Sequence, residues 1–232
     1  GLLKNIWGFS FFIFLNIITD QINWNVDKFL LGIFQSSVAV SVYGVASQLN
    51  NSYTSIFWSL SNVVIPRINM LVSAGEDNFK ITQLFTRIGR IQFMVLALIL
   101  EVYLFFGKFF INVWAGPGYA ESYVIGGLLI FAVTIEGIQT AGIEIQRAKY
   151  LHKFRAVLCF FMALGNILLS IPLCIRYGAT GASIGTVISL VIGNGIIMNI
   201  YYHKKVGINV IYFWKNIISL LPALILPTVF GI

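Results

Sequence analysis

The chain has 232 residues, of which 58% are hydrophobic and only 10% are charged, against roughly 25% charged residues in an average soluble domain. A soluble chain of this size needs more polar surface to cover its core. The composition therefore excludes a soluble enzyme, a nucleic-acid-binding domain and a disordered segment, and it predicts an integral membrane protein. The net charge of +7 is then expected from lysines and arginines at the cytoplasmic ends of helices, with no nucleic-acid partner.

Apolar segments long enough to cross a membrane recur along the whole chain. A membrane-spanning helix needs about 20 mostly apolar residues. The candidates lie at residues 7–25, 37–65, 88–114, 123–145, 157–175 and 180–202, followed by 210–232. They are too long, and too uniformly apolar, for the strands of a barrel. We predict an all-α polytopic membrane protein, with a six-helix lobe over residues 1–206 and the start of a further helix, cut short, over 207–232.

The basic residues indicate how these segments are oriented. With a cytoplasmic N-terminus, twelve of the fifteen lysines and arginines fall on the inner side, which is the bias typical of proteins of the cytoplasmic membrane. The long inner connection contains Phe79 and the stretch Ile81 to Phe85, in which Ile81, Leu84 and Phe85 are apolar. Either a short interfacial helix or a plain polar loop is expected there.

Polar residues follow one face of each of the first two segments. In the second segment, helical spacing brings six of them to one side: Ser41, Gln48, Ser52, Ser55, Ser59 and Asn62. The first segment carries a similar stripe of Asn16, Asp20 and Asn23, which Asp27 continues at the same helical spacing. Such stripes predict helices that line a water-filled cavity, and the alternative is hydrogen bonding between packed helices. Asp27, next to Lys28, is interpreted as half of an interfacial ion pair.

Three carboxylates fall deep inside predicted spans: Asp20, Glu101 and Glu136. Charges there are costly, so each is expected either to pair with a basic group or to couple transport to a proton or cation. Lys108 is the pairing candidate for Glu101. Glu144 with Arg147 is interpreted as an ion pair at the membrane boundary.

Small residues recur at every fourth position in the sixth segment, at Gly181, Gly185, Ser189 and Gly193. This spacing predicts close contact with a neighbouring helix. The sequence holds no phosphate-binding loop, no nucleophile elbow and no zinc motif. We therefore predict neither an enzyme, nor a metal site, nor a cofactor.

Several short motifs, in order, resemble the polysaccharide (O-antigen, Wzx-type) flippases of the multidrug/oligosaccharidyl-lipid/polysaccharide (MOP) exporter superfamily. Residues 26–34 with 38–46 are similar to that family's "D-x-x-x-L-G … V-x-x-Y-x-x-A" passage. Ile65-Pro66-Arg67, Gly116-Pro117-Gly118-Tyr119 and residues 177–183 fit the same pattern. The resemblance covers nearly the whole chain.

The resemblance implies a fold of two six-helix lobes around a central cavity, of which this chain would be the second lobe. The implied activity is the flipping of undecaprenyl-diphosphate-linked oligosaccharide repeat units across the cytoplasmic membrane by alternating access. The implied partners are the missing N-terminal lobe, the lipid-linked substrate, a polysaccharide polymerase and a chain-length regulator. The alternatives are a drug/cation antiporter or a lipid II flippase of the same superfamily, and a membrane enzyme of polysaccharide assembly.

Overall fold

A computed structural model describes residues 25–151 and 153–222 of the chain. The predictions for Asn16, Asp20 and Asn23 therefore lie outside the described residues, as does the end of the segment 210–232. The helices are α1 (25–34), α2 (Ser37–Ser73), α3 (Asn78–Trp114), α4 (Glu121–Gly137), α5 (Thr140–Ala148), α6 (Lys153–Leu190), α7 (Met198–Tyr201) and α8 (Val210–Ile218). Two π-helical segments, Val191–Ile197 and Tyr202–Val206, flank α7.

The described residues form a helical protein without strands, and four of its helical stretches are long and apolar enough to cross a membrane. They are Ser37–Ser73, Asn78–Trp114, Glu121–Ala148 and Lys153–Val206. The described part of the chain is thus all-α, with helices suited to crossing a membrane. A large apolar core joins α2, α3, α4 and α8 around Phe57, Phe85 and Phe213, and a smaller one surrounds Leu31 and Ile125.

The helices α2 and α3 are longer than the sequence predicts. Each has 37 residues, or about 55 Å at 1.5 Å per residue, so both exceed the roughly 30 Å hydrocarbon core of a bilayer. A short turn at Gly75 (φ 65°) connects them. Of the alternatives expected at residues 79–85, the loop is wrong and the helix forms as the first part of the continuous α3, with Ile81 and Phe85 buried.

The predicted span 123–145 is broken into two helices. The α-helical backbone of α4 stops at Gly137, and α5 starts at Thr140. Tighter turns bridge the gap: the Gln139 amide donates to the Glu136 carbonyl at 2.9 Å, and the Gly142 amide donates to the Gln139 carbonyl at 2.8 Å. The break lies beside the polar residues Glu136 and Gln139, and the predicted span runs across it without interruption.

The helix α6 reverses direction at Gly178, whose backbone (φ 61°, ψ −139°) is non-helical. Glycine adopts this conformation readily, whereas other residues are strained in it. Contacts then pair residues before and after the turn in antiparallel order: the Phe154 and Tyr201 rings stack with centroids 4.0 Å apart, and Ser170 Oγ lies 3.2 Å from the Ala182 carbonyl oxygen. The reversal falls between the predicted segments 157–175 and 180–202.

The small-residue ridge packs between the two arms of this hairpin. A Cβ atom at Gly181, Gly185 or Gly193 would overlap Leu173, Ser170 or Met162, respectively. The predicted close helix contact is therefore confirmed.

Candidate functional site

The polar stripe predicted on α2 faces away from the rest of the described chain. Between residues 41 and 62, the exposed residues of α2 are all polar and uncharged. They are Ser41, Gln48, Asn51, Ser52, Ser55, Ser59 and Asn62, and we call this surface the polar face of α2. Since these side chains are exposed, they do not hydrogen-bond packed helices of the described chain together. Sequence reasoning missed only Asn51.

The other long helices expose a different chemistry. The exposed side of α3 carries large apolar residues such as Leu98 (60% exposed) and Phe109 (70%), and α6 exposes Phe160 and Phe161 in the same way. These surfaces suit the hydrocarbon of a bilayer. The polar face of α2 does not, because uncompensated polar groups in hydrocarbon are costly. It suits a water-filled space or a polar partner.

Within the polar face, amides and hydroxyls differ in their bonding. The hydroxyls of Ser41, Ser52, Ser55 and Ser59 donate to carbonyls of their own helix at 2.7–3.0 Å, as serines in membrane helices commonly do. No residue of the described chain hydrogen-bonds the side chains of Gln48, Asn51 and Asn62. These three amides therefore present both donors and acceptors outward.

A buried carboxylate lies behind this face, where α1, α2 and α6 meet. Asp27 is 1% exposed, and its Oδ2 accepts hydrogen bonds from Tyr43 Oη and Thr186 Oγ1, both at 2.5 Å. Asn166 Oδ1 lies 3.2 Å from Thr186 Oγ1 and accepts from Ser170 Oγ at 2.9 Å. We call these five residues the Asp27 cluster.

The interpretation of Asp27 and Lys28 as an interfacial ion pair is wrong. In the described residues the ion pairs are Lys80–Glu76, Arg147–Glu144 and Arg155–Glu136. The helical turn of α1 directs Asp27 towards α2 and α6 instead, where hydroxyl donors replace a cation. Neighbouring residues in a helix point in different directions, so adjacency in sequence does not pair them.

The chemistry of the Asp27 cluster suits a proton or a monovalent cation. Asp27 Oδ1 is buried and has no hydrogen-bond partner within the described chain. The surrounding groups are hydroxyl and amide oxygens, which are ligands for hard cations, and the cluster contains no basic side chain. A buried carboxylate without a basic partner is costly unless a proton or a cation neutralises it.

Glu136 lies in a second polar centre, at the break between α4 and α5. Its Oε1 accepts from Arg155 Nη2 at 2.7 Å, and its Oε2 accepts from Asn194 Nδ2 at 3.0 Å. A small pocket adjoins the pair and is lined by Gln139, Ile143, Met198 and Tyr202 as well. Gln139 Oε1 is buried there without a partner in the described chain.

Of the two roles expected for Glu136, the structure shows the ion pair with a basic group. A role in coupling transport to an ion stays a prediction. Arg155 lies between the predicted spans 123–145 and 157–175, where an exposed connection is expected, but it is largely buried beside Glu136. Asn194 belongs to the π-helical segment Val191–Ile197, and π-helical turns are frequent at functional sites.

A buried amide and two hydroxyls hold α2 and α3 against this break. Gln92 Nε2 donates to Ser61 Oγ and to Thr140 Oγ1, each at 2.7 Å, and the two hydroxyls contact each other. Sequence reasoning missed this group because each helix contributes a single residue and no spacing pattern arises.

The remaining predicted carboxylates behave differently from one another. Arg147 Nη1 donates to Glu144 Oε1 at 2.8 Å, so the predicted ion pair between these two residues is confirmed. Glu101 is half-buried on α3 and Lys108 is exposed. Two helical turns separate them by about 10 Å along the axis, and the two do not form an ion pair in the described chain.

Comparisons with known proteins identify no relative. No family model, curated protein or solved structure matches the chain. The motifs that resemble polysaccharide flippases nevertheless take definite places in the fold. Asp27 and Tyr43, one from each half of the first motif, are bonded to each other, and Gly178 of the last motif makes the reversal in α6.

Proposed function

We propose that this chain is part of a transporter that flips lipid-linked oligosaccharides across the cytoplasmic membrane by alternating access. The main observation in support of this proposal is the polar face of α2, which is exposed on a helix long and apolar enough to cross a membrane. A surface of this kind lines a pathway for polar cargo. In this proposal the chain is a six-helix lobe followed by the start of a further helix, and a second lobe faces α2 across the pathway.

The chemistry of the polar face supports a sugar as the part of the cargo that contacts it. The face offers amides and hydroxyls between residues 41 and 62, with neither a charged nor an aromatic side chain among its exposed residues. Amides donate and accept at once, which matches sugar hydroxyls. Binding sites for apolar drugs are lined mainly by hydrophobic and aromatic side chains, so an antiporter for such drugs is a weaker candidate.

The Asp27 cluster supports coupling of this movement to a proton or a cation. It lies where the first helix, the polar helix α2 and the reversed arm of α6 converge. Neutralising or exposing the Asp27 carboxylate changes how these helices hold each other, so occupancy of the cluster would favour one packing over another. Undecaprenyl diphosphate as the lipid carrier follows from the resemblance alone.

The proposal is tested in cells that lack the gene. We expect them to lose surface polysaccharide, to accumulate lipid-linked repeat units and to keep their normal drug tolerance. Wild-type protein should restore export, whereas a variant with Gln48→Leu, Asn51→Leu and Asn62→Leu should not, because it removes the outward amides. Ser55→Ala is the matched control, since that hydroxyl donates only to the Ser52 carbonyl of its own helix. Drug sensitivity with intact polysaccharide would contradict the proposal.

A further inference from the structure

The exposed side of α3 changes its chemistry at one point along the helix. From Lys80 through Gln83 and Arg87 to Arg90, its exposed residues are polar or basic. From Ile91 (47% exposed) through Met94 and Leu98 to Phe109, they are predominantly apolar. Helical spacing places both sets on one continuous face.

This change marks a membrane boundary. The apolar part, residues 91–114, is about 36 Å long at 1.5 Å per residue, which covers the roughly 30 Å hydrocarbon core. Arg87 and Arg90 therefore lie within one helical turn of the edge of that core, where the phosphate groups of the lipids are. The basic ends of other elements gather on the same side, because Lys149 Nζ donates to Asn78 Oδ1 at 2.8 Å and to the Val206 carbonyl at 2.7 Å.

The two arginines have no acidic partner among the described residues. Neither Arg87 nor Arg90 makes an ion pair or a hydrogen bond in the described chain, whereas Lys80, on the same face, pairs with Glu76 at 2.7 Å. Like charges three residues apart on a helix repel each other. A phosphate group between them removes this repulsion, and the fork of a guanidinium matches phosphate oxygens better than an ammonium does.

We propose that Arg87 and Arg90 form a binding site for the headgroups of anionic phospholipids in the leaflet at the basic side of the membrane. Charge complementarity identifies the occupant: a lipid-facing helix carries two uncompensated guanidinium groups at the depth of the phosphates, and the cytoplasmic leaflet is the anionic one. The bound lipid fixes the height of α3 in the bilayer. The site is independent of what the protein transports.

The site is tested with the purified protein in nanodiscs that contain equal amounts of phosphatidylglycerol and phosphatidylcholine. Native mass spectrometry of the ejected complexes counts the lipids retained. We expect wild-type protein to retain phosphatidylglycerol preferentially, and Arg87→Gln and Arg90→Gln each to lower that preference by about five-fold. Lys80→Gln is the matched control, since Glu76 already neutralises that charge.

Three outcomes overturn the proposal. They are an absence of preference in the wild-type protein, an unchanged preference in the two arginine variants, and an equal loss in Lys80→Gln. A variant with Arg87→Lys and Arg90→Lys retains both charges and shows whether altered folding explains a loss. It should keep most of the preference for phosphatidylglycerol. If it behaves like the glutamine variants, charge does not explain the preference, and the proposal is contradicted.

Discussion

The Glu136 carboxylate neutralises a guanidinium that the fold has largely removed from water. Removing one partner of such a pair leaves the other charge uncompensated, which typically costs about 3 kcal/mol or more. The 2.7 Å contact with Arg155 and the 3.0 Å contact with Asn194 satisfy both carboxylate oxygens. The pair thus stabilises the junction between the broken helix α4–α5 and the first arm of α6.

We predict that Glu136→Gln and Arg155→Gln each lower the melting temperature of the purified protein by several degrees, consistent with a loss of about 3 kcal/mol. The double variant should recover most of this loss, because it leaves no unpaired charge. Circular dichroism on heating gives the comparison, with Glu76→Gln as the exposed control. A double variant as unstable as the worse single variant would contradict the argument that an unpaired buried charge causes the loss.

Asp27 shows which single residues sequence reasoning can place. Its spacing with Asn16, Asp20 and Asn23 predicted a polar stripe, and its place in the motif was recognised. Its partners were not predicted, since Tyr43 and Thr186 are 16 and 159 positions away. A carboxylate beside a lysine suggests a local ion pair, whereas the donors that solvate this one come from two other helices.

Among the elements, the reversal in α6 depends on one residue. Gly178 has no atom closer than 4.0 Å to where its Cβ would lie, so a side chain there meets no steric overlap. The cost of a substitution is conformational, because the backbone (φ 61°, ψ −139°) is strained for residues with a side chain. A substitution at Gly178 therefore measures the cost of backbone strain without a contribution from steric overlap.

We predict that Gly178→Ala lowers the free energy of unfolding by about 1–3 kcal/mol. Gly165→Ala is the matched control: it lies in the helical part of the first arm with nothing within 4 Å of its Cβ position, and alanine there should stabilise the helix by up to about 1 kcal/mol. Thermal unfolding in detergent measures both. Equal stability of the two variants would mean that the turn relaxes around a side chain.

The sequence predicts where a helix ends when a charged residue and a glycine interrupt an apolar segment. The boundary between residues 175 and 180 contains Arg176 and Gly178, and the turn lies there. The break at Ile138 and Gln139 was missed because the predicted span 123–145 runs across it in spite of polar Glu136, Gln139 and Thr140, and hydropathy carries no information on backbone direction. The Gln92, Ser61 and Thr140 contacts that support this break are tertiary.

At the scale of the whole molecule, the two kinds of exposed surface divide the described chain into a side for water and a side for lipid. Gln48, Ser52 and Ser55 lie on the first, and Met94 and Leu98 lie on the second. The polar face of α2 was predictable because one helix carries all of it at regular spacing. Which face of the bundle it occupies was not, since that depends on the packing of α3, α4 and α6.

We predict that cysteines introduced at 48, 52 and 55 react with a membrane-impermeant maleimide in intact membranes, whereas cysteines at 94 and 98 do not. The thiolate forms where water enters, and thiols in hydrocarbon stay protonated and unreactive. The background has Cys159 and Cys174 replaced by alanine. Equal labelling of both sets, or protection of the α2 positions with labelling of the α3 positions, would contradict the division into two sides.

The length of α2 and α3 has a mechanical consequence. Their connection at Gly75 stands well clear of the hydrocarbon, because each helix is about 55 Å long and the core it crosses is roughly 30 Å thick. Each of the two helices is a long rod with one end in the membrane and the other end in water. A tilt of only about 10° at one end of a rod of this length displaces the other end by about 10 Å, so small rearrangements around α1, α2 and α6 are magnified at the aqueous tip.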